Sequence, residues 1–167
     1  MTAITAGQLG TWYRIYSAEL LLYARQLTDG ANAEDVVQEA FIKLFKQRTC
    51  PDDVRAWLYR VVRNGALSWG RSFQRRCRLK VGYKSEQSCW FEWPKDDSLD
   101  ARRAQDLLAA LPRGKREIVV LRIWGQMPLR EIAELVKKPV STVHWAYCDA
   151  LATLRKQMES SSCQNIA

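Results

Sequence analysis

The sequence predicts an all-α chain in which two small helical domains are joined by a linker. Three observations predict this. Apolar residues recur at three- and four-residue steps in several separate stretches, the signature of amphipathic helices. From Cys77 to Asp100 that period is lost, and the stretch carries Gly82, Ser85, Ser88, Pro94 and an acidic DDSLD run. Beyond it, residues 129–154 read as two short amphipathic helices that meet at Lys137, Lys138 and Pro139, which is the helix-turn-helix pattern. The predicted boundaries are 1–80 for the first domain, 81–100 for the linker, 101–160 for the second domain and 161–167 for a frayed tail.

The first helix is expected over about Thr11–Leu27, where Trp12, Ile15, Tyr16, Leu20, Tyr23 and Leu27 share one broad face. Thr28, Asp29 and Gly30 end it, and Asn32 is the expected N-cap of the next. That second helix, Ala33–Lys46, has the clearest period: Val36, Val37, Ala40, Phe41, Leu44 and Phe45. Asp35, Gln38 and Glu39 lie on or beside its exposed face, either as a solvated acidic surface or as a docking surface. A proline-containing loop at 48–53 precedes a third helix, about Val54–Phe73, buried through Trp57, Leu58, Val61, Val62 and Leu67. Its end runs into Arg75, Arg76, Arg78 and Lys80, with Trp69 and Phe73 among the charges. Such a surface can track a single strand and stack its bases, although both rings could equally fill a core. In the second domain, helices are expected over about Ala101–Ala110 and Gly114–Ile123. Pro128 is expected at the first position of the scaffold helix. The second helix of the motif should bury Val140, Val143, Tyr147, Leu151 and Leu154.

The net charge of +8 makes nucleic acid the leading partner of such a motif. Residues 1–80 hold thirteen Lys/Arg against seven Asp/Glu, and residues 106–167 hold nine against six, so two basic blocks flank a near-neutral connector. Five cysteines lie at positions with no CxxC or Cys/His zinc spacing, and His144 is the sole histidine, so neither a metal site nor a cofactor is expected. An odd, unframed cysteine set suits a reducing cytoplasm. No secretory signal and no apolar run near the roughly 20 residues of a membrane span are evident. No Gly-rich phosphate loop and no nucleophile beside a base is seen, so an enzyme is not expected.

The order of these parts resembles the extracytoplasmic-function group of the sigma-70 family, the promoter-recognition subunits of bacterial RNA polymerase. Four stretches carry the likeness: ANAEDVVQEAFIKLFKQ at 31–47, DVRAWLYRVVRNGALSWGR at 53–71, LLAALPRGKREIVVLR at 107–122 and LREIAELVKKPVSTVHWAYCDALATLR at 129–155. The resemblance implies a region 2-like helical bundle followed by a region 4-like helix-turn-helix domain. It implies polymerase core and promoter DNA as partners, and many relatives are held by an anti-sigma factor. Core binding would fall to Asp35, Gln38, Glu39 and Phe41. The loop at about Gln47–Asp53 would capture a flipped base. Arg60, Arg63, Asn64, Trp69, Arg71, Arg75 and Arg76 would meet the opened −10 element. Ser141, Thr142, His144, Trp145 and Cys148 would face −35 base edges, with Lys137, Lys138 and Arg155 on phosphates.

Some residues depart from the family pattern. Lys137 stands where glycine is usual in the turn. Ala146 and Asp149 stand where basic residues are usual, and Trp145 where a small residue is usual. Asp149 would repel phosphate if it faced DNA, which implies an atypical −35 reading and modest DNA affinity for this domain alone. The alternative reading is a stand-alone helix-turn-helix regulator, which would need neither the helix at 33–47 nor the basic helix after it.

Overall fold

The computed structural model describes residues 4–28, 30–79 and 106–163, with side chains described except at 70–79 and 160–163. Every regular element among the described residues is helical. The chain divides into two compact units, Met1–Trp90 and Phe91–Ala167. The expected linker at 81–100 and the first half of the helix expected over about Ala101–Ala110 lie outside the described residues.

Three mutually packed helices form the first unit: α1 (Ala6–Arg25), α2 (Gly30–Phe45) and α3 (Val54–Leu79). Helix α1 starts five residues earlier than its apolar period suggests, because Thr5 and Gln8 form a capping box. The Thr5 hydroxyl accepts from the Gln8 N–H at 3.3 Å and the Gln8 side chain accepts from the Thr5 N–H at 3.0 Å. That satisfies two donors a helix start would leave open. Asn32 is not the cap of α2. It falls inside the first turn, and a capping residue needs a non-helical backbone. Helix α3 is capped by Asp53, whose Oδ1 accepts from the Ala56 N–H at 2.9 Å. It runs six residues past its expected end, since arginine, glutamine and leucine favour a helix whether or not a face is buried.

Leu20, Tyr23, Ala24, Val36, Val37, Ala40, Leu44, Leu58, Tyr59, Val62 and Ala66 make the core of this unit. The rings of Tyr23 and Tyr59 meet at 5.3 Å between centroids, and those of Tyr13 and Phe41 at 5.0 Å. At Gly65 an added Cβ would lie 3.0 Å from a methyl of buried Val36, so α2 and α3 approach too closely there for a side chain. Ion pairs Arg25–Glu34 (3.7 Å) and Arg55–Glu19 (3.5 Å) tie α1 to its two neighbours.

The second unit holds a helical stretch at 106–110, then α4 (Arg113–Ile123), α5 (Leu129–Val136) and α6 (Val140–Cys163). Ile118, Val119, Leu121, Met127, Ile132, Ala133, Val143 and Ala150 are buried between them. Pro128 is the N-cap of α5, not its first helical residue: its ψ of 150° is extended. The turn from α5 to α6 passes through Lys137 at φ 56° and ψ 50°, and the Lys138 N–H donates to the Ala133 carbonyl at 3.0 Å. The buried stripe of α6 is Val143 and Ala150 with Tyr147 and Leu154 at its margin. Val140 and Leu151, expected inside, are 45 % and 38 % exposed because they sit to one side of that stripe. Helix α6 continues through Cys163 into the expected tail.

Candidate nucleic-acid interface

Burial on one side of each helix decides which side chains remain to meet a partner. On α2 the buried stripe from Ala33 to Leu44 leaves Asp35, Gln38 and Glu39 outward, all exposed. Glu39 pairs with Lys43 at 2.9 Å one turn on. Phe41 is corrected: it is 4 % exposed and packs edge-on against Tyr13, so it belongs to the core of the free domain. Its place on the outer face is taken by Ile42 and Phe45, 52 % and 50 % exposed. The apolar period places Phe45 on the buried side, but it lies past Leu44, the last buried residue of α2. Two large apolar groups beside acids on one exposed helix face are the composition of a docking surface.

On α3, Arg60 and Asn64 are exposed one turn apart, opposite Leu58, Val62 and Ala66. Arg63 and Trp69 are half-buried. Arg71, Arg75 and Arg76 are carried on the same uninterrupted helix, and their side chains lie outside the described set. The preceding loop is exposed at Arg48, Thr49 and Cys50 before Asp53 starts the helix. Behind this face, Glu19 lies against Arg55 and Tyr59. Burial holds its carboxyl above the usual glutamate range, against the opposing pull of the Arg55 guanidinium. Burial first, and then the Glu19 charge, push the Tyr59 hydroxyl far up, so it stays protonated.

In the second unit, Lys137, Lys138, Ser141, Thr142, His144, Trp145, Cys148 and Arg155 are all exposed. His144 Nε2 lies 3.8 Å from Cys148 Sγ one turn on. Arg130, which the sequence reading missed, lines one open depression with Lys137 and Lys138 and adds a third cation beside the turn. The concern over Asp149 is answered by α4. Lys115 Nζ pairs with Asp149 Oδ2 and also lies 5.8 Å above the Trp145 ring, so the acid faces a cation within its own domain. Sequence spacing could not show this, because the two residues are thirty-four positions apart.

A three-helix unit whose third helix carries seven arginines, and a separate helix-turn-helix unit with cations about its second helix, match the class of two-part, helical nucleic-acid-binding proteins. The family comparisons give that class its identity. Sigma-70 region 2 matches residues 12–76, and sigma-70 region 4 matches residues 101–154. The chain is 33% identical over 147 residues to the RNA polymerase sigma-E factor of Streptomyces coelicolor, covering 83% of this chain and 79% of that one. It is 32% identical to the ECF RNA polymerase sigma factor SigL of Mycobacterium tuberculosis, over 70% of each. The sigma factor RpoE of Bartonella quintana, solved with the anti-sigma factor NepR, shares the fold at a TM-score of 0.76 and 21% identity, over 90% of this chain and 96% of that one. CnrH, solved with the cytosolic domain of CnrY, does so at 0.64 and 24%, over 93% and 90%. The chain belongs to the sigma-70 family of RNA polymerase sigma factors, in its extracytoplasmic-function group.

Proposed function

We propose that the two units divide the work of a sigma factor between them, with 1–80 serving polymerase core and the −10 element and 101–160 serving the −35 element. The observation that carries this is the presence of both conserved regions, in order, on separate folded units. The sigma factor binds core, directs it to promoters and favours opening of the −10 strand. It does so by binding energy and is not an enzyme: unstacked bases gain new partners on a basic, aromatic surface. The docking face is the outer side of α2, with Asp35, Gln38 and Glu39 around Ile42 and Phe45. The opened strand lies along Arg60, Arg63, Asn64, Trp69, Arg71, Arg75 and Arg76, after the loop at 47–53. The −35 duplex meets Ser141, Thr142, His144, Trp145 and Cys148, with Lys137, Lys138, Arg130 and Arg155 on phosphates. Its place of action is the cytoplasm, and no described helix is long and apolar enough to cross a membrane.

The test is binding of the purified chain to bacterial polymerase core. One-to-one binding is expected. It should be lost when Asp35 and Glu39 are both changed to Lys, with the helical content unchanged because both are exposed. Retained binding by that variant would move the docking face off α2. No binding by the unaltered, folded chain would leave the stand-alone regulator.

A further inference from the structure

The outward row of α6 is unusual for a helix that reads DNA. Opposite Val143 and Ala150, the helical period sets Ser141, Trp145, Cys148 and Ala152 in one line, and all four are exposed. Between Pro139 and Leu154 there is no Lys or Arg, and the single acid, Asp149, is paired with Lys115. Cations bracket the row instead, with Lys137 and Lys138 before it and Arg155 and Lys156 after it, all exposed. The commonest base contact, Arg or Lys to the two acceptors of guanine, is therefore unavailable along the centre of this helix.

What the centre offers is the indole of Trp145, 65 % exposed, with the Lys115 ammonium over its ring. An indole edge sets an N–H donor beside apolar carbon. In the major groove one base matches that pair. Thymine shows an acceptor, O4, next to a methyl group, whereas guanine shows two acceptors, adenine an acceptor and a donor, and cytosine a donor. We propose that Trp145 selects a thymine in the −35 duplex, its ring against the C5-methyl and its Nε1–H donating to O4. This rests on the reading of the second unit as the −35-binding unit. Lys115 and Asp149 are positioning residues. The carboxylate holds the ammonium, and the ammonium holds the ring by cation–π attraction.

The experiment uses holoenzyme reconstituted from the full chain and polymerase core, on a promoter mapped by its own initiation. Each thymine of the −35 element is replaced singly by deoxyuridine, which removes the methyl and nothing else. At one position binding should weaken about fourfold, the worth of one buried methyl group. The Trp145→Ala holoenzyme should bind both templates equally, and Trp145→Phe should keep the difference because it keeps a ring. Asp149→Asn should shrink the thymine-to-uracil ratio toward one, a change that a merely structural ion pair would not produce. Equal binding of wild type to every substituted template, or a loss that persists in Trp145→Ala, overturns the thymine contact while initiation upholds the sigma reading. Failure to initiate anywhere overturns both.

Discussion

Lys137 concentrates at one residue a conflict between backbone and partner. Its φ of 56° lies in the left-handed region, where a side chain costs about 1–2 kcal/mol. Glycine would relieve that but would lose about 0.5–1 kcal/mol to its freer unfolded chain. Lys137→Gly should therefore stabilise the second unit by about 0.5–1 kcal/mol, read as a rise in its thermal midpoint. The same change removes an exposed ammonium from the row of Arg130, Lys137 and Lys138. Holoenzyme binding to promoter should weaken, with the slope of affinity against salt reduced by about one. A variant more stable and equally tight on DNA would show that Lys137 contacts no phosphate. A variant less stable would show that the turn is not strained.

At the scale of the element, the apolar period makes the buried stripe of α2 legible but not the helix ends, and it also sets Ile15 and Leu151 inside, which are exposed. Val36, Val37, Ala40 and Leu44 are buried as the spacing requires. The start of α1 lies outside its apolar period, because Gly7 and Gly10 add nothing to that face, and the Thr5-to-Gln8 capping pattern is what marks it. The outer face of α2 was half legible. Its polar residues stood out, but Ile42 and Phe45 required knowing where α1 and α3 press on it. The Glu19–Arg55 tie between α1 and α3 was invisible, since partners thirty-six positions apart leave no periodic trace. Burial of Glu19, which the Arg55 charge offsets only in part, leaves a pH signature. A glutamate whose folded pKa lies above its unfolded value binds its proton more tightly in the folded state. Stability then falls as pH rises from near the ordinary value of 4.5 through the raised one. Glu19→Gln should abolish that decline and leave the first unit at least as stable at pH 7. Denaturant unfolding at a series of pH values measures it. A variant clearly weaker at pH 7 would mean that the attraction of Arg55 outweighs burial.

Across the whole molecule, positive charge is shared between the two units, as the proposed two-part contact with promoter DNA requires. The excess of basic residues lies in the two segments that carry those units, and none of it lies in 81–105, where four Lys/Arg meet five Asp/Glu. The partner class was legible from this distribution together with the motif order. The individual contacts were less so, because helical spacing names a face and cannot say which of its residues a neighbouring element covers, as Phe41 and Asp149 show. Helix α3 carries much of the first unit's positive charge. It runs uninterrupted to Leu79 and carries Arg71, Arg75 and Arg76. Replacing Arg75 and Arg76 together by Ala should preserve the helix, since alanine is the strongest helix former. It should weaken holoenzyme binding to promoters of every sequence and lower the salt slope by about 1.5–2, the share of two phosphate contacts. Binding at several salt concentrations, on two promoters that differ in their −10 elements, separates the outcomes. A loss confined to one promoter would make these arginines base readers. An unchanged slope would take them off the nucleic acid altogether, and would place the −10 interface of this sigma factor nearer Arg60 and Asn64, where α3 still packs against α1 and α2.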